Sequence, residues 1–312
     1  MASATVSTAQ ASARRPPPEG FRVFTALVAA AAPLSLLAIV VVLAQQAWPA
    51  ITHFGPGFLV GRAWNPVTAE FGALPYIFGT LVTSFLALVV ALPVGVGVAL
   101  FLAEASRPRL RATIGIGVEL LAAIPSVVYG IWGLYVLAPW LYHHVEIPLN
   151  DHFPNLPLFG GTPRQTSILT AVVVLAVMIL PTLSAVSRDV IKAVPNGLRE
   201  GAYALGATWW ETTWRVVLPA ARAGIFGASV LALGRALGET IAVTMVIGNR
   251  PDIQPSLFAP AYTLASVVAN EFTEATGQLY STALIELGLV LVATTLVVNV
   301  AALLLVRTVD RG

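Results

Sequence analysis

The chain has 312 residues, of which 57% are hydrophobic and only 10% are Asp, Glu, Lys or Arg, against roughly 25% charged in ordinary soluble domains. So little charge cannot cover a water-soluble fold of this size; an ordinary cytosolic enzyme, a disordered chain and a collagen-like repeat are excluded, and a polytopic membrane protein is indicated. The formal net charge of +2 offers no basic excess for nucleic acid, and the lack of cysteine removes disulfides and thiolate metal sites.

A helix crosses the ~30 Å hydrocarbon layer in about 20 residues. Stretches nearly free of charge predict an all-α membrane protein with six transmembrane helices, near 22–45, 74–103, 114–140, 166–187, 222–247 and 280–306. Residues 1–21, rich in Ala, Ser and Pro, read as a disordered tail. The apolar run from Val23 to Ala44 exceeds the ~7–15 residues of a signal-peptide core, so it reads as a retained helix. Trp48-Pro49 and the Gly55-Pro56-Gly57 turn are expected to end it near residue 45. Residues 46–73 then form an outer loop, 74–306 a five-helix domain with a long inner loop at 188–222, and 307–312 a short tail. Pro93, Pro125 and Pro181 fall inside spans and should kink them.

Basic residues set the orientation. With the N-terminus inside, Arg14, Arg15, Arg22, Arg107, Arg109, Arg111, Arg188, Lys192, Arg199, Arg215, Arg222, Arg307 and Arg311 are all inside, and only Arg62, Arg164 and Arg250 are in outer loops. Both termini are therefore expected in the cytoplasm. The histidines His53, His143, His144 and His152 fall outside. The pair at 143–144 is either a metal-ligand fragment or part of a solvated loop, and no acidic or thiol set converges on it in sequence. The Pro- and Gly-rich outer loop 141–164 shows no helical period. The single lysine, Lys192, lies in Val190-Ile191-Lys192-Ala193-Val194, which is no phosphate-binding P-loop.

The inner loop 188–222 is patterned. Pro195-Asn196 marks a helix start, with Asn196 as candidate N-cap. Leu198, Ala202 and Leu205 give an apolar stripe, Gly206 interrupts it, and Trp210, Trp214 and Val217 give a second stripe before Pro219. Such a helix–turn–helix either lies on lipid headgroups or offers its stripe to a groove on a soluble partner.

In the fifth span, Arg235 lies 13 residues past Arg222, about 20 Å into the membrane at ~1.5 Å per residue. An arginine there costs at least ~2.5–3.5 kcal/mol. Glu239 follows at i+4, on the same helical face, where the two can pair. Either the pair is an internal pin for the bundle, or Arg235 offers its fork to an oxyanion while Glu239 orients it or accepts a bond from a protonated ligand oxygen. Glu119, near Arg107, Arg109 and Arg111, reads as an interfacial ion-pair partner. Glu286 either rims an outer vestibule or snorkels to water.

Three sets of residues resemble a known family. Glu200-Gly201-Ala202, three residues, Gly206, nine residues and Val216-Val217-Leu218-Pro219 resemble the EAA loop of ABC importer permeases, with Gly for Ala at the second position and Val for Ile. Gly234-Arg235-Ala236-Leu237-Gly238-Glu239-Thr240 is similar to a run in the permeases of phosphate ABC importers, and the following Ile241-Ala242-Val243-Thr244-Met245 is closer to the PstC than to the PstA type. Phe71-Gly72-Ala73-Leu74-Pro75, Gly79 through Ser84 and Glu119 through Leu134 also resemble the PstC type. The resemblance spans about residues 70–306 and implies a type I importer permease (MetI-like) fold in the bacterial plasma membrane. It implies a substrate pathway at Arg235, Glu239 and Thr240, and ATPase coupling through Glu200, Gly201, Ala202, Gly206, Leu218 and Pro219. It further implies a PstA-like second permease, a PstB-like ATPase dimer that carries ATP and Mg, and a PstS-like phosphate-binding protein, with no cofactor, metal or catalytic residue in this chain. The rival readings are a sulfate or molybdate permease, a membrane-embedded enzyme using Glu119, Glu239 or Glu286, and a passive anion channel.

Overall fold

The computed structural model describes residues 19–105 and 107–309. Most of the expected tail, with Arg14 and Arg15, and the terminal Arg311 lie outside the described residues. In chain order the helices begin with α1 (Glu19–Phe54) and the single turn α2 (Gly57–Val60). A two-residue hairpin pairs β1 (Trp64–Asn65) antiparallel with β2 (Glu70–Phe71). Then come α3 (Leu74–Leu100), prolonged by a wide π turn over Phe101–Ala105, and α4 (Pro108–Ala123). Next, α5 (Ser126–Trp132), α6 (Ala138–Leu141) and α7 (Ile147–His152) run on through π turns. The remaining helices are α8 (Ile168–Ala193), α9 (Asn196–Ala204), α10 (Trp209–Thr212), α11 (Leu218–Leu237), α12 (Ile241–Val246), α13 (Leu264–Glu271) and α14 (Gln278–Val309). Among the described residues, 5 helices are long and apolar enough to span a membrane, and 6 when α4 and the bent stretch from α5 through α7 count as one.

Several boundaries differ from the sequence expectation. Helix α1 does not stop near residue 45 but runs through Pro49 to Phe54. A helical proline forgoes one backbone bond, and here Ala47 and Ala50 are fully buried on the same stretch, so packing holds the helix together. The stop comes at Gly55, whose φ of 56° is left-handed. Pro93 and Pro181 lie within unbroken helices, whereas at Pro125 the chain turns by 93°. Ile124, forced toward extended backbone by the following proline, has ψ 127°, and the third expected span is bent there into two pieces. Helical structure then continues to His152, well into the segment expected to be an irregular loop. Within it, Glu146 is fully buried and accepts bonds from Ser167 Oγ at 2.7 Å and the Arg164 amide at 3.2 Å. His144 stacks on Trp140 and its Nδ1 lies 3.0 Å from the Trp140 carbonyl, an ordinary helical neighbour contact.

Three apolar clusters stack along the bundle. The central one joins Ala87 and Ala91 of α3, Ile179 and Leu183 of α8, Ala228 and Ala232 of α11, and Ala242 and Val246 of α12. Alanines at these positions let helices approach closely where lipid provides no hydrophobic drive. A second, aromatic cluster at the α13 end holds Phe58, Phe71, Tyr76, Tyr262 and Leu284. There Phe71 stacks on Tyr280, and Glu271 accepts bonds from both Trp64 and Tyr280. The third, at the α9 end, holds Ala99, Ile191, Val194, Val217 and Ala221. The stretch Gly79-Thr80 owes its residue types to one crossing: a Cβ on Gly79 would stand 2.2 Å from the Tyr262 carbonyl oxygen, and Thr80 Oγ1 accepts the Leu264 amide at 2.9 Å.

Candidate functional site

The fifth span is broken where the charged residues sit. Helix α11 ends at Leu237, Gly238 has ψ 0°, and α12 starts only at Ile241. This break separates the two charges that sequence spacing placed on one face. Arg235 lies in the last turn of α11, where the unpaired carbonyl ends favour a cation. Glu239 turns toward the second half-helix and accepts the Ala242 amide on Oε1 at 3.2 Å, satisfying one of its free N–H groups. No Arg235–Glu239 ion pair forms. Thr240 is the N-cap residue of α12, its hydroxyl donating to the Gly238 carbonyl at 3.3 Å.

The Arg235 guanidinium is exposed, with one hydrogen bond, from Nη1 to Thr182 Oγ1 at 3.3 Å. Its remaining N–H groups have no acceptor among the described residues. Three neighbours were missed from sequence. Thr182, on α8, follows the buried Pro181. Tyr129, on α5, lies within electrostatic reach of Arg235 and donates its hydroxyl to the Leu121 carbonyl at 2.8 Å, tying α5 back across the bend. Asn299, on α14, lies behind Gly234, its Oδ1 buried without a partner. An amide in the apolar run Leu296-Val297-Val298-Asn299 was a legible signal. The other two contacts join distant segments.

For the remaining carboxylates of the expected spans, the structure removes one reading each. Glu119 is exposed and forms no ion pair among the described residues. It stands two turns beyond Arg111, which instead donates Nη2 to the Ala103 carbonyl at 3.1 Å. Glu286 is only 7% exposed, with Oε2 buried and unpartnered, so it does not snorkel.

At the far end of the bundle, α9 and α10 form the expected helix–turn–helix. Asn196 is the first residue of α9 rather than its cap, because Pro195 takes the cap position and no side chain closes it. Gly206 makes the turn with φ 83°, a conformation L side chains resist. Thr208 and Glu211 then close a reciprocal capping box on α10, a Thr-x-x-Glu signal present in sequence and overlooked. Leu198, Ala202, Leu205, Gly206 and Arg215 line an open cleft of about 620 Å³. Leu205 is 91% exposed and no α9 residue is buried, so this apolar stripe is turned away from the bundle. Glu200 and Gly201 are exposed beside it, and Leu218 and Pro219 open α11.

Residues 91–312 match the family model described as "Binding-protein-dependent transport system inner membrane component". The chain is 48% identical to the phosphate transport system permease protein PstC of Mesorhizobium japonicum, over 91% of this chain and 90% of that protein. It is 47% identical to PstC of Pasteurella multocida, over 88% and 87%, and 41% identical to PstC 1 of Mycobacterium tuberculosis, over 85% and 80%. Among solved structures, the inward-facing MetNI methionine ABC transporter superposes with a TM-score of 0.54 at 20% identity, covering 76% of this chain and 94% of that one. That likeness carries the fold, which is the MetI-like permease fold expected from the sequence. This chain is a multi-pass membrane protein belonging to the binding-protein-dependent transport system inner membrane component family.

Proposed function

We propose that the chain is the PstC-type permease subunit of an ATP-driven importer of inorganic phosphate, with α9 and both termini on the cytoplasmic side. The observation that carries the substrate class is Arg235: a guanidinium about 20 Å into the membrane, exposed and spending a single hydrogen bond on the protein. Its free fork suits two oxygens of a tetrahedral anion. Glu239, which interacts with α12 rather than with Arg235, leaves that fork available, and Thr240 stands at the same break. The identity to PstC proteins of several organisms supports phosphate as the anion.

A PstA-like permease would complete the pathway and a PstS-like protein would deliver phosphate from outside. ATP and Mg would be held by a PstB-like ATPase dimer, since the one lysine of this chain, Lys192, lies in no P-loop. That dimer would dock on the cleft lined by Leu198, Gly201, Ala202 and Gly206, with Glu200 at its edge and Leu218-Pro219 passing the motion into α11. A rigid helix pair joined to two spans transmits a rigid-body displacement. The test is co-purification of the four components and uptake of labelled phosphate into proteoliposomes. Uptake that requires ATP and resists a hundredfold excess of sulfate is expected. Uptake that persists without ATP would mark a channel, and equal competition by sulfate would remove phosphate specificity.

A further inference from the structure

Helix α9 has almost nothing apolar holding it to the bundle, since none of its residues is buried, yet it is held. Arg199 does this. Its Nη2 and Nε donate to Glu104 Oε1 at 2.6 and 3.2 Å, and the two side chains are 13% and 12% exposed. The same guanidinium donates Nη2 to the Ile191 carbonyl at 2.9 Å and Nη1 to the Val194 carbonyl. One side chain thus closes the free carbonyl end of α8, anchors α9 and reaches the end of α3. Glu104 lies in the π turn that ends α3. One residue before it, the Ala103 carbonyl accepts Arg111 of α4. The end of α3 is therefore a node at which α9, α8 and α4 meet through guanidinium forks.

We infer that the Arg199–Glu104 pair is a positioning device that clamps α9 to the second span, so that displacement of α9 reaches α3 and α4 as well as the chain-linked α8 and α11. This rests on the reading of α9 as the ATPase docking surface. Without the clamp, α9 keeps its chain ends, its packing on the turn before α11 and the Arg199 bonds to the end of α8. It loses its ion pair to the end of α3, so a push on it moves α8 before it moves α3. A planar fork with several bonds in fixed geometry resists such bending better than a point charge, and partial burial keeps the pair from being screened by salt.

The experiment uses the assembled complex with its second permease and ATPase in proteoliposomes, measuring ATP hydrolysed and labelled phosphate taken up in the same vesicles. Glu104→Gln and Arg199→Gln are expected to raise the ATP consumed per phosphate at least tenfold while the complex still co-purifies. Arg199→Lys, which keeps the charge and loses the fork, should fall between them and wild type. The exchanged double variant, Glu104→Arg with Arg199→Glu, should recover at least a third of the wild-type ratio. An unchanged ratio in the single variants overturns the clamp. So does loss of co-purification in the single variants that the exchange fails to restore, which would make the pair a folding contact alone. A wild-type complex that takes up no phosphate with ATP would instead overturn the functional reading itself.

Discussion

At the scale of single residues, Arg235 and Glu239 show how one glycine alters the meaning of a spacing. An i, i+4 acid–base pair reads as a salt bridge as long as the helix is continuous. Gly238 interrupts it, each charge settles at the helix end that suits its sign, and the guanidinium is left with free donors. The presence of a costly charge in an apolar run was legible; its partner was not, because pairing depends on a break that a period-based reading carries straight through. Arg235→Ala is expected to abolish phosphate uptake while co-purification with the partners is retained. Wild-type uptake by that variant would refute the anion site. Glu239→Ala removes the bond to the Ala242 amide and should cost about 1 kcal/mol, the usual value of a lost N-terminal cap. This would appear as a melting temperature ~2–4 °C lower in detergent, whereas Glu239→Gln, which keeps an acceptor oxygen, should melt like wild type.

Among the elements, the segment from α9 to α11 was the most legible, since motif spacing, apolar stripe and turn glycine all pointed to one helix–turn–helix. Gly206 sits at φ 83° with open space where a Cβ would stand. A substitution there strains the backbone and puts atoms into the cleft without touching the core. Gly206→Asp is therefore expected to insert and assemble but to transport at least tenfold more slowly, checked by uptake normalised to membrane content. Transport at the wild-type rate would separate the turn from coupling. The attachment of this segment to the bundle was not legible. Arg199 and Glu104 are 95 residues apart, and nothing local in either stretch announces the other.

For the whole molecule, hydropathy and loop charge gave the number of spans and their approximate places, because the hydrocarbon layer imposes length and apolarity on each. They did not give the 93° turn at Pro125, the passage of α1 through Pro49 or the helical course to His152. Each of these is decided by what packs against the segment, as with the buried Ala47 and Ala50 or the buried Glu146. The tight crossing at Gly79 is likewise a property of the assembled bundle. With the Tyr262 carbonyl 2.2 Å from a Cβ there, Gly79→Val should force the helices apart and destabilise by at least ~1–3 kcal/mol, seen as early aggregation on heating in detergent. The break in the fifth span has a mechanical consequence. Helix α12 is fastened to the segments that precede α8 and α13, its Val246 carbonyl accepting the Ser167 amide and its Ile247 carbonyl the Ala261 amide, whereas α11 runs without interruption from the α10 segment. Arg235 and Glu239 thus stand on opposite banks of a seam. A protonated oxyanion held by Arg235 and donating its O–H to Glu239 would act as a latch, and any shear that parts the banks would release its grip and its cargo in the same stroke.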